Sequence, residues 1–293
     1  MTTNSWDFPL ILPKHPAKRV IKLALGRALL LARPDIGRRI ESTGKANTFV
    51  ERVAVAGLIA RHRAAGTLDK LANLHAEFWA SGDAVSFHAL NEDRFENNFL
   101  KTHYEIVDAL KSVVAEGRLN TLCEIGCGSG QVIDHLAAKI PALEKLIGID
   151  LSPDQIALNR DKYKDPRIRF VAADGALWLQ ENAAPGFLLL AYGGVFEYFK
   201  EATLRSLFAT LRARAPAGIA LVEPVDPAFD LQVETESRML GAELSFSHNY
   251  SRLLRESGFN IRWQKELRAG FRWVMLVATV DAESARQSPT DGL

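Results

Sequence analysis

From about residue 97 onward, short apolar runs alternate with longer amphipathic runs, and this alternation limits the fold more than any other feature. The short runs have the length and composition of buried strands, and the runs between them have helical spacing. Strands that alternate with helices of this length predict βαβ units and a parallel sheet. The strand-like runs are TLCEI, KLIGID, RIRFVAAD, FLLLAYGG and GIALVEP.

The end of the chain departs from this alternation. FNIRWQKEL and FRWVMLVATV follow the helical run SHNYSRLLRESG, with no helical run between them. Two adjoining strands without a crossover helix pair in an antiparallel hairpin. The sequence therefore predicts an α/β fold whose mostly parallel sheet is closed by a C-terminal antiparallel hairpin.

The N-terminal part, residues 1–95, has a different character. It is helical or irregular. Its run PAKRVIKLALGRALLLARP begins and ends near prolines, as a helix does, and two further helical runs, 46–66 and 66–82, each end at a glycine. Residues 1–65 hold twelve Lys and Arg against four Asp and Glu, a net of +8, whereas the remainder has a net of −7. We expect a helical, basic extension over 1–95, a catalytic domain over 96–280 and a disordered tail over 281–293.

Composition excludes several classes of protein. A hydrophobic fraction of 47% and a charged fraction of 24% are those of a soluble globular protein. Two cysteines, Cys123 and Cys127, are too few for a structural zinc site or a disulfide framework, so we expect no metal and a reducing compartment. No signal peptide is visible, and charges interrupt the apolar run 20–32 before it could span a bilayer. These features favour a cytoplasmic protein.

The turn after the first strand is rich in glycine. EIGCGSG places Gly126, Gly128 and Gly130 at every second position. Ligands of parallel sheets bind at the carboxyl ends of the strands, and glycines let the backbone turn tightly and approach a ligand closely. The N–H groups of the next helix point to the same place. The turn alone is a weak signal, because several classes of nucleotide-binding protein share it.

Three acidic residues sharpen this signal. Glu124 precedes the first glycine by two positions, Asp150 ends the second strand and Asp174 ends the third. A carboxylate at 150 can accept hydrogen bonds from both hydroxyls of a ribose, and one at 174 can meet an adenine edge. Each aspartate alone could instead cap the following helix. Three acids after three consecutive strands are more specific than the glycine turn.

The spaced set EIGCGSG, GIDLS, AADGA and LLLAYGGVFEYF resembles the motifs of class I S-adenosylmethionine-dependent methyltransferases, over about residues 97–280. The resemblance implies a Rossmann-like sheet of seven strands and S-adenosylmethionine as cofactor. It implies that Gly126 and Gly128 approach the amino-acid part of the cofactor, and that Asp150 holds its ribose. The cofactor-binding residues that we predict are Glu124, Gly126, Cys127, Gly128, Gly130, Asp150, Leu151, Ala173, Asp174, Gly175 and Tyr192.

The acceptor is less well indicated. An Asn/Asp-Pro-Pro-Tyr/Phe motif, typical of methylation of a nucleobase or amide nitrogen, is absent after the fourth strand. We expect a small molecule, a lipid headgroup or a sugar as acceptor, methylated first on oxygen and second on nitrogen. The alternatives are an RNA or protein methyltransferase and a non-catalytic scaffold protein of this fold. Nucleic acid is disfavoured, since the basic residues are not interleaved with aromatic ones.

Candidates for the acceptor side lie in several segments. His248 is the first candidate for a general base, because histidine exchanges protons near neutral pH, although it could also cap or pack. The connection 224–247 is long enough to be a lid. The remaining histidines, His88 among them, have no partner in the sequence and are expected to be structural. Further catalytic candidates are Tyr192 and Glu197, and candidates for acceptor contact are His103, Tyr104 and Tyr250.

Residues 16–33 form a basic amphipathic segment with three alternative roles. It could pack as a cap on the catalytic domain, lie peripherally on an anionic membrane, or bind an acidic protein or nucleic acid. The sequence leaves these alternatives and the oligomeric state open.

Overall fold

The computed structural model describes residues 16–43, 48–65, 67, 75–76, 79–80, 85, 87–89, 91–240, 245–269 and 271–286. The chain divides into two compact units. One comprises Met1–Trp79 with Met239–Ser245, and the other comprises Ala80–Arg238 with Phe246–Leu293. The domain boundaries expected from the sequence stay predictions.

The first unit is helical where it is described. Its helices are α1 (Pro16–Ala32), α2 (Pro34–Thr43) and α3 (Phe49–Ala65). Proline begins both α1 and α2, a position where its missing N–H costs no helical hydrogen bond. The sequence predicted α1 and α3, whereas α2 was not foreseen. The third helix predicted in this part, 66–82, lies for the most part outside the described residues.

Helices α1 and α3 approach each other through glycines. A Cβ on Gly26 would lie 2.4 Å from the backbone nitrogen of Gly57, and a Cβ on Gly57 would lie 2.4 Å from the carbonyl carbon of Gly26. Two backbones can come this close only where neither residue has a side chain. Gly37 in α2 differs, because its Cβ would meet only leucine side chains, Cδ2 of Leu30 at 2.8 Å and Cδ2 of Leu58 at 3.6 Å.

We therefore predict opposite outcomes for two matched substitutions. Gly26→Ala should destabilise the α1–α3 pair by about 1–3 kcal/mol, because the overlap with backbone cannot relax. Gly37→Ala should be tolerated, since a leucine side chain can move and alanine favours the helix by about 1 kcal/mol. Hydrogen exchange of the α1 and α3 amides measures both effects. Equal protection in the two variants would contradict this packing.

The second unit begins with a π-helix (Phe95–Leu100) and α4 (Glu105–Ala115). Five strands and their helices follow: β1 (Thr121–Ile125), α5 (Gln131–Lys139), β2 (Lys145–Asp150), α6 (Pro153–Lys162), β3 (Ile168–Ala172), α7 (Gly175–Asn182), β4 (Phe187–Tyr192), a 3₁₀ turn (Phe196–Tyr198), α8 (Glu201–Arg212) and β5 (Ala217–Val225). The last elements along the chain are β6 (Arg238–Leu240), which falls mostly in the first unit, β7 (Ser245–Ser247), α9 (Tyr250–Glu256), β8 (Asn260–Ala269), β9 (Phe271–Val280) and α10 (Ala282–Arg286).

The sheet of this unit has the order β3-β2-β1-β4-β5-β9-β8. Strands β1 to β5 pair in parallel, and β9 runs antiparallel to both β5 and β8. The central strands β1, β4 and β5 are buried along nearly their whole length, as strands covered on both faces are. The predicted Rossmann-like sheet of seven strands, mostly parallel and closed by an antiparallel hairpin, is confirmed.

Two local features differ from the predicted elements. The amphipathic run over 97–117 predicts a single helix, but the chain bends between the π-helix and α4, where the N–H of His103 donates to the carbonyl of Asn98 at 3.0 Å. The bend brings His103 into the core, with 1% of its surface exposed. At the other end, α10 forms in a stretch for which the sequence predicts a disordered tail.

Candidate functional site

The strand order reverses between β1 and β4, which is where ligands bind in sheets of this kind. The register pairs Ile125 with Ile149 on one side and with Ala191 on the other. The carboxyl ends of β1, β2 and β4 therefore lie side by side. This edge brings together the glycine turn, Asp150 and Tyr192, which the sequence predicted to share one site.

The glycine turn has a backbone that side chains would strain. Gly126, Gly128 and Gly130 have φ angles of +67°, +46° and +74°. The turn is held by hydrogen bonds from the Cys127 N–H to the carbonyl of Ile149 at 3.0 Å and from the Gly130 N–H to the carbonyl of Cys127 at 2.9 Å. Helix α5 starts directly after it, so the sequence signal predicted the turn correctly.

The bare side of each glycine is filled by another part of the protein. A Cβ on Gly126 would lie 2.6 Å from Val195, one on Gly128 would lie 2.7 Å from the ring of His88, and one on Gly130 would lie 2.8 Å from the ring of Tyr163. The absent side chains therefore make room for the chain itself. The expectation that Gly126 and Gly128 approach the cofactor stays a prediction, and the structure adds a packing reason for glycine at both positions.

Asp150 ties the end of β2 to the glycine turn. Its Oδ2 accepts a hydrogen bond from the N–H of Gly128 at 3.0 Å, and its Oδ1 accepts one from the N–H of Ser152 at 3.0 Å. Burial raises the pKa of this carboxyl, while the backbone donors and the nearby ring of His88 act in the opposite direction. No sequence pattern pointed to a role for His88 at this site.

Side chains of α6, together with Tyr163 directly after it, hold the glycine turn through hydrogen bonds. Asn159 donates to the carbonyl of Gly128 at 2.7 Å, and Gln155 donates to Oδ1 of Asn159 at 2.9 Å. The hydroxyl of Tyr163 donates to the carbonyl of Ser129 at 2.9 Å. The sequence analysis missed all three residues. Their spacing of four, which places them on one helical face, is the signal that could have found them.

Glu124 presents a buried acceptor at the same edge. The side chain is 2% exposed, and its Oε2 has no hydrogen-bond partner among the residues that the structure describes. Burial raises the pKa of this carboxyl well above its usual value, although the N–H of Ile133 acts against the shift. A buried carboxylate oxygen without a donor is costly, so a cationic or donor group of a ligand fits this position.

The remaining predicted cofactor residues have clear local roles. Asp174 is exposed and caps α7, because its Oδ1 accepts from the N–H groups of Ala176 at 2.9 Å and Leu177 at 3.1 Å. A Cβ on Gly175 would lie 2.6 Å from Ile125, so glycine is needed for packing there. Cys127 is buried, and its burial raises the pKa of the thiol. Leu151, which follows Asp150, and Ala173, which precedes Asp174, are both half-buried.

The turn after β4 is organised by a residue that the sequence analysis missed. Glu223 in β5 is fully buried, and its carboxylate accepts from the N–H of Val195 at 3.1 Å and from the N–H of Glu197 at 3.2 Å. Burial raises the pKa of Glu223 to about 7 even though the N–H groups of the turn lower it. Because Val195 packs on Gly126, this carboxyl fixes a wall of the glycine turn.

The acceptor candidates fall into two groups. Nδ1 of His103 lies 3.2 Å from the hydroxyl oxygen of Tyr192, at the carboxyl end of β4. Nε2 of His103 is buried and has no hydrogen-bond partner among the described residues. Tyr104 is half-buried and its ring lies 5.9 Å from that of His135. The structure therefore places His103 beside Tyr192, two residues for which different roles were predicted.

His248 and Tyr250 form a second, fully buried group. Nδ1 of His248 lies 2.6 Å from Oγ of Ser237, and its Nε2 lies 3.2 Å from the carbonyl oxygen of Phe196. Both ring nitrogens are thus engaged, and burial lowers the pKa of His248 to about 4. Tyr250 is 0% exposed. This geometry gives both side chains a packing role, and the roles toward the acceptor expected for them stay predictions.

Comparison with known proteins agrees with this arrangement. A family model described as a methyltransferase domain matches residues 122–218, from β1 to the start of β5. The predicted resemblance of this region to class I S-adenosylmethionine-dependent methyltransferases is thus confirmed. A search of curated proteins found no match.

Solved methyltransferases are among the similar structures. Magnesium protoporphyrin IX methyltransferase from Synechocystis PCC 6803, crystallised with SAM, is 16% identical, with 71% of this chain and 96% of that chain covered and a TM-score of 0.51. The N-methyltransferase NodS from Bradyrhizobium japonicum WM9 is 14% identical, with 64% and 99% covered and a TM-score of 0.47. At these identities the first likeness supports the fold of the methyltransferase domain alone.

The role of Asp150 can be tested by removing its carboxylate. Asp150→Ala should weaken S-adenosylhomocysteine binding at least about tenfold, since the glycine turn loses its acceptor and the ribose loses its expected partner. Asp161→Ala removes an exposed acid near the end of α6 and serves as the control. Calorimetric titration measures both affinities. Equal affinity of Asp150→Ala and the wild type would refute the role.

The buried carboxyl of Glu223 should make stability depend on pH. Its pKa is about 7 in the fold against 4.5 normally, so the native state holds the proton more tightly. The contribution to stability is complete below about 4.5 and is lost as pH rises through about 7. Wild type should therefore lose about 2–3 kcal/mol relative to Glu223→Gln across this window. Urea unfolding of both proteins at several pH values gives the difference, and parallel curves would contradict it.

Proposed function

We propose that the protein transfers a methyl group from S-adenosylmethionine to a hydroxyl oxygen of an acceptor, and that His103 accepts the hydroxyl proton. The acceptor class is a small molecule, a lipid headgroup or a sugar. The observation that carries the proposal is the pairing of the His103 ring with the Tyr192 hydroxyl at the carboxyl end of β4.

The residues of the glycine edge fit the cofactor. The buried Oε2 of Glu124 suits the ammonium of the methionine part, because a cation would supply its missing donor. The carboxylate of Asp150 lies at the end of β2, where the ribose is expected. When bound, S-adenosylmethionine supplies an activated methyl group, so the protein has to bind, orient and exclude water.

A hydroxyl acceptor adds one demand, since its proton must leave during the transfer. Burial, and secondarily the charge of Arg94, lowers the pKa of His103 to about 4, so its ring is neutral at neutral pH. In the tautomer that we propose, the Nδ1 proton is donated to Oη of Tyr192 and Nε2 keeps its lone pair. Nε2 would accept the proton that the acceptor hydroxyl releases on methylation.

Aromatic packing holds the His103 ring in one orientation. The ring of Trp273 lies 4.7 Å from it, and Phe99 packs edge-on against Tyr192 at 5.0 Å. A base whose ring cannot turn keeps its lone pair aimed in one direction, which favours proton transfer. Glu197 is less suited, because it is 9% exposed and its backbone is held by Glu223.

The proposal predicts a separation of binding from turnover. Purified protein is offered S-adenosylmethionine with panels of phenols, lipids and glycosides, and S-adenosylhomocysteine formation is measured. With the acceptor found, His103→Gln should lower kcat by about a hundredfold or more while S-adenosylhomocysteine affinity stays unchanged. Tyr192→Phe should lower kcat less, since the ring of His103 remains.

Tyr250→Phe is the matched control for Tyr192→Phe. Its hydroxyl is buried without a hydrogen-bond partner among the described residues, so its loss should leave kcat unchanged. The pH profile provides a second readout. Because the pKa of His103 is about 4, activity should persist as pH falls through 6.5, the usual histidine value. Full activity of His103→Gln, or methylation of a nitrogen, would refute the proposal.

A further inference from the structure

Helix α1 turns its apolar side outward. Apolar residues recur along it at steps of three and four, a pattern that a helix of a globular protein normally buries. Here four of the large ones are exposed, with fractions of 64%, 58%, 56% and 85% for Val20, Ile21, Leu25 and Leu31. Four exposed alanines lie on the same side of the helix: Ala17, Ala24, Ala28 and Ala32. The outer face of α1 is defined by these eight residues.

The other side of α1 is already used within its own unit. Gly26 faces the backbone of α3, and Leu30, one turn later, is 8% exposed and contacts α2 at Gly37. Since residues one turn apart share a face, the packed side of the helix is fixed by this pair. The outer face is therefore left exposed by the described residues of the helical unit.

Basic side chains border the outer face. On a helix, Lys18 and Arg27 fall at its two edges, and both are exposed. Helix α1 contains no acidic residue, and residues 1–65 carry a net charge of +8. Such a charge complements an anionic surface, and it disfavours a second copy of the same face through repulsion.

The feature is specific to this part of the chain. Among the described residues, nine large hydrophobic side chains are exposed, and six of them lie on α1 or at the start of α3. Single exposed apolar residues are ordinary, whereas a continuous apolar face marks an interaction surface.

We infer that the outer face of α1 docks on an anionic phospholipid membrane, with the helix lying along the surface. Its 17 residues span about 25 Å, which is less than the hydrocarbon thickness of about 30 Å. No helix in the described part of the chain is long and apolar enough to cross a membrane. Apolar residues would enter the headgroup boundary, while Lys18 and Arg27 reach the anionic headgroups.

Sedimentation of the full chain with vesicles tests the apolar part of this surface. Vesicles of phosphatidylcholine and phosphatidylserine should carry the protein down, and vesicles of phosphatidylcholine alone should not. Leu25→Glu should weaken binding about tenfold, because it places a charge in the buried part of the contact. Leu158→Glu on α6 is the matched control, since Leu158 is 53% exposed and Leu25 is 56% exposed.

A second pair of variants tests the charged part. Lys18→Gln with Arg27→Gln should lower binding to the mixed vesicles about tenfold or more, and salt at about 0.5 M should weaken the wild type similarly. Lys145→Gln with Arg169→Gln removes the same charge from exposed positions of β2 and β3 and should have little effect. Circular dichroism verifies that each variant is folded.

Three results would overturn the inference. The first is no binding of the wild type to mixed vesicles at low salt. The second is equal loss of binding in Leu25→Glu and Leu158→Glu, which would assign it to net charge. The third is a dimer in light scattering that Leu25→Glu dissociates, with no vesicle binding, since this would give the face to a second copy. None of these readouts depends on methyl transfer, so they leave the proposed function untouched.

Discussion

The hydrogen bonds of Asp150 are the constraint on which the site depends. One carboxylate oxygen holds Gly128 and the other holds Ser152, so the end of β2, the glycine turn of β1 and the start of α6 are joined at one group. A loop with three residues at positive φ has many alternative conformations in the unfolded chain. The carboxylate selects one of them, and α6 reinforces the choice from the opposite side through Asn159.

A second carboxyl repeats this principle on the other wall of the site. Glu223 gathers the N–H groups of the turn after β4, and that turn places Val195 against the bare side of Gly126. The two loops are thus fixed by buried acids on the parallel strands β2 and β5, which flank the central pair β1 and β4. A buried carboxylate without hydrogen-bond donors costs free energy. Both acids must therefore keep their backbone hydrogen bonds for the two loops to hold their positions.

Much of the fold could be predicted from the sequence because it is written in short-range patterns. The strand and helix periods predicted β1 to β5 and the terminal hairpin. The start of α6 is also a local feature, because Oγ of Ser152 caps it by accepting from the N–H of Gln155 at 3.3 Å. The edge that gathers Glu124, Asp150 and Tyr192 follows from strand order, which the family resemblance supplied. Helix α2 was missed, since its run PDIGRRIEST is polar and short.

The acceptor side was harder to predict because side-chain pairing across the chain leaves no local pattern. The position of His248 in the sequence suggested a general base, yet in the fold its two ring nitrogens lie against Ser237 and the carbonyl of Phe196. His103 and Tyr192 are 89 residues apart in sequence and meet only because the chain bends before α4. Glu223 reads as one more residue at the end of a strand until the turn after β4 is in place.

The outer face of α1 illustrates the opposite case, in which a sequence pattern is clear but its meaning depends on the fold. Apolar residues at steps of three and four indicate that one side of a helix is covered, and they do not say by what. In α1 the glycine contact with α3 turns Gly26 and Leu30 inward, and it leaves four other large apolar residues exposed. A helix that packs through Gly26 can be stable within its unit while it keeps its hydrophobic side for another surface, and the bordering Lys18 and Arg27 make an anionic membrane the surface that fits.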